Sequence, residues 1–189
     1  MIKVKRKSTK DILAESFLEI AKTKRIDKIR ISDITDNCGM SAPTFYNHFK
    51  DKYDLIVWIY VRDVYPIMSK IGDSDSKWEN TLRESAQYYW DNREFVVNAL
   101  KHTSGYDAFL FLMQKINTEH MVAAVRKHLM TEHIADDIMG LIKVYVYGTV
   151  NLMLEWLMGQ NSNTTEQIIE IWDKSLPEML RQYISPRNA

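Results

Sequence analysis

Hydrogen-bonding side chains lie close together in one short segment of the chain: Thr44, Tyr46, Asn47 and His48. Phe45 and Phe49 occur among them at a spacing of four residues, so a helix would bury the phenylalanines and leave the polar groups outside. Hydroxyl, amide and imidazole groups on an exposed helix face can bond base edges or phosphate oxygens. The chemistry offered by this segment is therefore recognition of a nucleic acid.

A tight turn between two short helices is predicted just before these side chains. Apolar residues recur at helical spacing up to Cys38, and Gly39 follows, where a helix end favours a residue that tolerates the left-handed conformation. Ser41 can cap the next helix, and Pro43 falls in its first turn, where no intrahelical bond is lost. One helix should end at about Cys38 and another begin at about Ala42, which predicts a helix-turn-helix.

This segment resembles the DNA-binding motif of the tetracycline-repressor (TetR/AcrR) family of bacterial transcription regulators. The residues that match at the family's spacing are Ile34, Gly39, Met40, Ser41, Thr44, Phe45, Tyr46, His48, Phe49, Lys52 and Leu55. Two positions depart from the pattern, because Arg30 stands where the family usually has a capping Thr or Ser, and Thr35 replaces a common Ala. The match covers about residues 8 to 68 and implies a DNA-binding head followed by a helical regulatory domain.

The resemblance implies DNA contacts from one set of head residues. They are Ser32, Ser41, Ala42, Pro43, Thr44, Tyr46, Asn47, His48 and Lys52. Tyr46 and His48 would bond backbone phosphates, and Asn47 would bond a base edge. The Lys52 ammonium and the free amides at the start of its helix would hold one phosphate together. Because the residues that enter the groove first are short, part of the sequence preference would come from DNA shape.

Basic side chains dominate the N-terminal end of the chain. Residues 1–54 contain 12 Lys and Arg against 8 Asp and Glu, whereas residues 55–189 contain 13 against 17, so a net charge of zero hides a basic head. The first ten residues include no acid and form an expected phosphate-binding arm, with Lys5, Arg6, Lys7 and Lys10 as its contacts. The alternative is a solvated tail that only aids solubility.

Helical periodicity runs through nearly the whole chain, which contains only six Gly and four Pro. We therefore predict an all-α fold. Residues 1–52 should form the arm and a three-helix helix-turn-helix DNA-binding head, and residues 53–189 a larger ligand-binding and dimerisation domain. Helices are expected at about 8–23, 52–70, 77–91, 92–102, 106–130, 134–158 and 164–184, with a kink or a restart at Pro177.

The larger domain is rich in aromatic and Met side chains, and the resemblance implies an effector pocket between its helices. The residues expected to line it are Tyr89, Trp90, Phe109, Met113, Tyr145 and Met153. Such a pocket would suit an aromatic or flat apolar small molecule. The alternative is that these side chains form an ordinary core.

Small residues form a stripe at every fourth position of one otherwise bulky helix: Gly140, Val144 and Gly148. Small residues allow two helices to approach closely. Together with Ile168, Trp172 and Met179 on the last helix, the stripe would build the seam of a homodimer, as the resemblance implies. The alternative is that the stripe packs within one subunit.

The sequence offers little support for a disulfide, a metal site, an enzyme active site or a membrane span. A single cysteine offers neither an internal disulfide nor a paired zinc motif, and His128 and His133 are five residues apart, a poor spacing for a metal on one helix face. The chain lacks a Gly-rich phosphate loop, a Cys–His pair and recognisable paired carboxylates, so we expect no enzyme, no metal and no cofactor. No stretch of eighteen apolar residues occurs, and we expect a cytoplasmic protein with no membrane partner.

These features predict a ligand-responsive transcription regulator that binds a pseudo-palindromic DNA operator as a homodimer. Its partners would be double-stranded DNA, a small-molecule effector and a second copy of the chain, and we take its sign of regulation to be repression. The alternatives are an activator, a regulator whose larger domain binds another protein, and a small all-α enzyme.

Overall fold

The computed structural model describes residues 7–73, 76–104 and 108–184. These ranges contain α-helices and no strand, so the predicted all-α fold is confirmed. The helices are α1 (Thr9–Ala21), α2 (Ile31–Asn37), α3 (Ala42–Tyr46), α4 (Lys52–Met68), α5 (Trp78–Asp91), α6 (Arg93–His102), α7 (Phe109–Leu129), α8 (Asp136–Leu157), α9 (Thr165–Ser175) and α10 (Glu178–Ile184), with a 3-10 turn at Ile26–Lys28. Of the predicted arm, Lys5 and Arg6 lie outside the described residues.

Helices α1, α2 and α3 pack around a common apolar centre and form the head. Leu13 and Phe17 of α1, Ile34 of α2 and Phe45 of α3 are fully buried there. A buried hydrogen bond joins two of the helices, because the Ser16 Oγ donates to the carbonyl oxygen of Ile34 at 2.7 Å. The predicted three-helix head is therefore present as a packed unit.

Helix α4 is a strut that contacts both the head and the larger domain. Its buried residues include Leu55, Ile56, Ile59 and Tyr60, and it packs against α1 on one side and against α5 and α7 on the other. The predicted domain boundary after residue 52 falls at the first residue of this helix. The division into two domains stays a prediction, since α4 shares a core with each part.

The larger domain is a bundle of α5 to α10 in which α7 and α8 pack along each other. Helix α9 packs on α5 and α8, and α10 packs on α7 and α8. Of the kink or restart predicted at Pro177 within 164–184, the structure shows a restart: α9 ends at Ser175 and α10 begins at Glu178. Proline has no N–H with which to continue a helix, which explains the restart.

Asn98 of α6 ties the larger domain to the head. Its Nδ2 donates to the carbonyl oxygens of Ala21 at 2.7 Å and Lys24 at 2.9 Å, and its Oδ1 accepts from the Ile26 N–H at 3.1 Å. These three bonds hold the segment between α1 and α2 against α6. No local pattern predicts this contact, because the partners of Asn98 lie more than 70 residues away along the chain.

Helix α8 has the length and apolar composition of a membrane-spanning helix. Core helices of globular proteins meet the same criterion, and α8 packs here against α7, α9 and α10. Its composition is therefore weak evidence for a membrane span.

Candidate nucleic-acid interface and effector cavity

The turn between α2 and α3 has the backbone geometry of a helix-turn-helix. Gly39 adopts a φ of +67°, which L side chains rarely adopt, and the Met40 N–H donates to the carbonyl oxygen of Thr35 at 2.8 Å. Ser41 then caps α3, because its Oγ accepts from the Thr44 N–H at 3.3 Å. The Ser41 and Thr44 hydroxyls also bond each other at 2.8 Å. The chain thus reverses sharply and starts α3 at Ala42.

The polar side chains of this motif lie on its exposed side, and its phenylalanines lie on its buried side. Phe45 and Phe49 are buried, whereas Tyr46 is 58% exposed and Asn47 and His48 are exposed. Helix α3 ends at Tyr46, so Asn47 and His48 follow its last turn, and the Phe49 N–H still donates to the Phe45 carbonyl oxygen at 3.0 Å. The side chains of Tyr46, Asn47 and His48 bond nothing within the described residues, which leaves them available to a ligand.

The remaining predicted contacts of the head are arranged around these groups. Ser32, Ser41, Ala42 and Pro43 are exposed, and Thr44 is half-buried. The start of α2, the turn and the start of α3 are therefore accessible from solvent. Their contact with DNA stays a prediction.

The prediction that Lys52 holds a phosphate is wrong. The Lys52 Nζ donates to the carbonyl oxygens of Ile26 at 2.8 Å, Asp27 at 3.0 Å and Ile29 at 2.8 Å, which uses all three of its N–H groups. The first amides of α4 are also occupied, since the Asp51 Oδ1 accepts from the N–H groups of Tyr53 and Asp54 at 2.8 and 2.9 Å.

Burial lowers the pKa of the Lys52 ammonium, with nearby carboxylates acting in the opposite direction. Its three carbonyl partners belong to the segment that leads into α2. The Lys52 ammonium therefore stabilises the head by linking α4 to the segment before α2. The sequence does not indicate this role, because the hydrogen-bond partners lie about 25 residues away along the chain.

The described cations of the predicted arm have partners of their own. Lys7 pairs with Glu15 at 2.7 Å, and the Lys10 Nζ lies 5.4 Å from the ring centre of Phe49. An exposed pair of this kind contributes about 0–1 kcal/mol, so a phosphate can compete for Lys7. Arg30 and Lys50 are exposed and form no ion pair within the described residues, which makes them additional candidates that the sequence motif does not indicate.

Asp33 supplies the cap that Arg30 cannot. Its carboxylate accepts from the Arg30 N–H at 2.7 Å and from the Lys24 ammonium. The Lys24 hydrogen bond, followed by that of the Arg30 N–H, holds the pKa of Asp33 below its ordinary value of 3.8. The start of α2 is therefore stabilised by the third residue of the helix instead of by the residue before it.

Replacing Asp33 with Ala should lower the free energy of unfolding by about 1 kcal/mol at neutral pH, as loss of a helix cap does. Since the folded-state pKa is depressed, this stabilisation is present above 3.8 and disappears as the pH falls through the lower folded value. Urea unfolding of both proteins should therefore show a difference in stability that holds from pH 7 down to about pH 4 and shrinks as the pH falls further. A difference that persists unchanged at the acid end would contradict the role assigned to the carboxylate.

A small cavity of about 60 Å³ lies between α4, α5, α7, α8 and α9. The structure places three of the predicted lining residues at its wall: Tyr89, Tyr145 and Met153. The expectation for the other three is wrong. Trp90 is 42% exposed and stacks on Trp156 at 5.2 Å between ring centres, while Phe109 and Met113 are buried in the core and do not line the cavity. Adjacent helix residues such as Tyr89 and Trp90 point about 100° apart, so only one of them faces the cavity.

A buried hydrogen-bond network connects the cavity wall to the α4 strut. The Tyr60 hydroxyl of α4 bonds the Tyr89 hydroxyl of α5 at 2.8 Å and donates to the Asn117 Oδ1 of α7 at 3.0 Å. Burial raises the pKa of both tyrosines, which therefore stay neutral. Tyr89 and Asn117 line the cavity, so these two hydrogen bonds join its wall to α4.

The small-residue stripe of α8 lies open on the surface of a single subunit. A Cβ at Gly140 or Gly148 would have nothing within 4 Å, and Val144 is 73% exposed. The stripe therefore does not pack within one subunit. Met179 is also exposed, but Ile168 and Trp172 are 0% and 4% exposed, so the prediction that these two form the seam is wrong. They lie on the apolar face that α9 turns toward the subunit core.

Family-level comparisons agree with this architecture. Residues 18–57 match the model of bacterial regulatory proteins of the tetR family, and residues 76–178 match that of a TetR-type transcriptional regulator C-terminal region. The curated dhaKLM operon transcriptional activator DhaS of Lactococcus lactis subsp. lactis is 26% identical over 106 residues, which are 56% of each chain. The aligned region thus spans little more than half of that relative.

Solved structures show the same fold over nearly the whole chain. The dihydroxyacetone kinase operon activator DhaS has a TM-score of 0.60 at 17% identity, covering 93% of this chain and 97% of its own. A TetR transcriptional regulator from a Rhodococcus species has a TM-score of 0.61 at 15% identity, covering 90% and 94%. The fatty acid degradation regulator FadR of Bacillus halodurans has a TM-score of 0.57 at 12% identity, covering 93% and 97%.

The two matched regions include both the helix-turn-helix and the helical bundle, and the second alone covers more than half of the chain. With the exposed polar side chains that follow a buried Phe45, they show that this protein is a DNA-binding transcriptional regulator of the TetR family.

Proposed function

We propose that the protein binds a pseudo-palindromic operator as a homodimer and that a small molecule in the α4–α9 cavity controls this binding. The observation that carries the proposal is the group formed by Tyr46, Asn47 and His48, whose side chains are exposed and form no hydrogen bond within the described residues, at the end of a motif whose apolar side is buried. Regulator domains of this family point to a non-enzymatic factor that works where the DNA is, in the cytoplasm.

The α8 surface supports the homodimer. Gly140, Val144 and Gly148 present an open, flat face, and Met179 of α10 is exposed on a helix that packs against α8. Two copies of such a face, related by a two-fold axis, can approach closely and place two heads on one side of the assembly. Two heads on two half-sites account for a pseudo-palindromic operator.

The hydrogen bonds of Tyr60 and Asn98 support a route from cavity to head. A ligand that displaces Tyr89 or Asn117 changes the environment of Tyr60, and α4 carries that change to Lys52 at its first turn. Asn98 holds the other side of the same segment. The paired heads would have two separations, one of which fits the operator. A ligand shifts the equilibrium between these two states only by the difference between its affinities for them.

The sign of regulation follows from where the operator lies relative to the promoter. We propose repression, in which a bound dimer blocks access to the promoter. A curated relative is named as an activator, which supports the opposite sign as the alternative.

Changes at Tyr46 and Asn47 test the DNA-binding surface. Tyr46→Phe should weaken binding to every DNA sequence by about 1 kcal/mol, because it removes a hydroxyl proposed to bond a phosphate. Asn47→Ala should instead relax the base preference at one position of each half-site, at a cost of about 1–3 kcal/mol for the preferred base. Fluorescence anisotropy on operator DNA selected from a random library, and on single-base variants of it, measures both effects.

Tyr65→Phe is the matched control, because Tyr65 is also 58% exposed but lies near the opposite end of α4. It should leave DNA affinity unchanged. If Tyr65→Phe loses as much DNA affinity as Tyr46→Phe, the Tyr46 hydroxyl is not a DNA contact. If Asn47→Ala loses the same affinity for every DNA sequence, Asn47 binds phosphate and does not read a base.

A further inference from the structure

A groove of about 600 Å³ lies between the head and the larger domain. Residues 21–25, at the end of α1 and just after it, line one wall, and α6 lines the other, with Leu157 and Met158 of α8 completing the lining. We call it the α1–α6 groove. Small-molecule sites in proteins measure about 300–1,000 Å³, so this groove has the size of a ligand site, whereas the α4–α9 cavity measures only about 60 Å³.

Hydrogen bonds of Asn98 hold the two walls of the groove together. Its Nδ2 donates to the carbonyl oxygens of Ala21 at 2.7 Å and Lys24 at 2.9 Å. Lys22 lies between these two residues in the chain, and Lys101 lies one helical turn beyond Asn98 on the same side of α6. The tie at Asn98 therefore brings cations of the head and of α6 to one space.

Cations outnumber carboxylates along this groove. Glu94 is the one carboxylate that lines it in the described part of the chain, and the Lys and Arg residues that line it are Lys22, Lys24, Arg25, Arg93 and Lys101. The chain as a whole has a formal net charge of zero, so this excess of positive charge is local. A cleft lined by one sign of charge raises the local concentration of the opposite ion. The groove therefore attracts anions.

Two of these cations are already neutralised within the protein. Lys24 pairs with Asp33, and Arg25 pairs with Asp27. The other three are exposed and form no ion pair within the described residues; they are Lys22, Arg93 and Lys101. With the single carboxylate of Glu94 counted against these three, an excess of about two positive charges is left without a counter-charge.

An aromatic ring holds the Arg93 side chain in place. Its guanidinium carbon lies 5.0 Å from the ring centre of Trp90, and the same side chain lines the groove. Stacking uses the flat face of a guanidinium and leaves the N–H groups at its edge free to donate. Such an edge matches two oxygens of a phosphate group through parallel hydrogen bonds.

The charge and the donors together favour a phosphate monoester. This group carries about 1.5–2 negative charges at pH 7 and three strong acceptor oxygens, whereas a carboxylate carries one charge. A single phosphate monoester can therefore offset the excess of about two charges. Val97, Leu157 and Met158 add apolar surface to the lining, which suits a small organic body.

We propose that the α1–α6 groove binds a small phosphate monoester that bridges Lys22 of the head and Lys101 and Arg93 of α6. Lysine side chains are long and flexible, so both ammonium groups can converge on one anion. Because the two walls belong to the head and to the larger domain, the bound anion holds these parts together and acts as an effector of operator binding. Only this effector role rests on the proposed function.

Two phosphates of different charge test the site. Monomethyl phosphate carries about two negative charges at neutral pH, and dimethyl phosphate carries one. The full-length protein, labelled with ¹⁵N, is titrated with each at constant ionic strength while the backbone amide signals of Lys22, Lys101 and Lys115 are recorded by NMR. Lys115 is the reference, because it is an exposed lysine of α7 that does not line the groove.

Monomethyl phosphate should move the Lys22 and Lys101 signals with one shared dissociation constant and leave the Lys115 signal in place. It should bind about two- to fivefold more tightly than dimethyl phosphate, because one more charge faces the cations. Lys22→Gln and Lys101→Gln should each weaken monomethyl phosphate by about two- to fivefold, which is the range for an exposed charge pair. The matched control, Lys115→Gln, should leave its affinity unchanged.

Signals that do not saturate, different dissociation constants at Lys22 and Lys101, or an equal loss in Lys115→Gln would overturn the proposal and leave an adventitious ion only. If dimethyl phosphate binds as tightly as monomethyl phosphate, the proposed ligand class is wrong. If Lys22→Gln lowers operator affinity and its salt dependence in phosphate-free buffer, Lys22 contacts DNA and the groove is not a small-molecule site.

Operator affinity, measured by fluorescence anisotropy with and without monomethyl phosphate, tests the effector role separately. If the NMR signals move and operator affinity does not, the site stands and the effector role is wrong. If the parent protein fails to bind an operator as a dimer, the proposed function is wrong, and binding of monomethyl phosphate to the groove is unaffected.

Discussion

A Gly148→Leu protein is expected to fold as the parent chain does and to lose the proposed self-association through α8. A Cβ at Gly148 has nothing within 4 Å in one subunit, so the larger side chain meets solvent in the monomer. In a close symmetric seam the same insertion occurs twice, at about 1–3 kcal/mol for each overpacked site. The dimer dissociation constant should therefore rise by at least about 30-fold.

Sedimentation equilibrium measures the dissociation constant, and anisotropy on operator DNA measures the consequence. Affinity for a two-half-site operator should fall together with dimerisation, although no DNA-contacting residue has changed. Ala123→Leu is the matched control, because Ala123 is an exposed small residue of α7 among charged side chains. A Gly148→Leu protein that stays dimeric would show that the α8 stripe is not the seam.

Lys52→Met should destabilise the head, whereas the corresponding change at Lys50 should not. Removing the Lys52 ammonium leaves the carbonyl oxygens of Ile26, Asp27 and Ile29 without their donor. Carbonyl groups that lose a charged donor cost about 1–3 kcal/mol each when buried, and these are partly accessible to water, so the free energy of unfolding should fall by about 2–4 kcal/mol. Chemical denaturation measures this difference.

Lys50 is the natural control, since it is exposed, close by and forms no ion pair within the described residues. Lys50→Met should change stability by less than about 0.5 kcal/mol. If Lys50 contacts a phosphate, the salt dependence of DNA binding should fall by about 0.9 in logarithmic slope. A Lys52→Met protein with unchanged stability and a reduced salt slope would restore the phosphate role that the structure contradicts.

The local sequence was sufficient wherever a short-range bond decides the structure. Gly39 and Ser41 predicted the turn and the start of α3, and the Phe45 and Phe49 spacing predicted which side is buried. The all-α class followed from periodicity over long segments. These features depend on residues within about one helical turn of each other, so they are readable along the chain.

In the larger domain, the sequence did not predict which side of each helix faces the cavity, the core or solvent. Aromatic composition suggested a pocket, but it could not separate Tyr89, which lines the cavity, from Trp90, which stacks on Trp156 outside it. The same limit applies to α9, where Ile168 and Trp172 are apolar enough for a seam and are buried within the subunit. An apolar face shows that a partner exists, and the packing decides whether that partner is the same chain or another copy.

By itself the sequence determined the helical class, the helix-turn-helix and the family pattern at residues 34 to 55, because backbone propensity and side-chain periodicity act locally. Only the tertiary structure decided the roles of Lys52 and Asn98. Their hydrogen-bond partners lie between 23 and 77 residues away along the chain. A buried polar group takes whichever acceptor the fold brings near it, so its function is a property of the packed molecule.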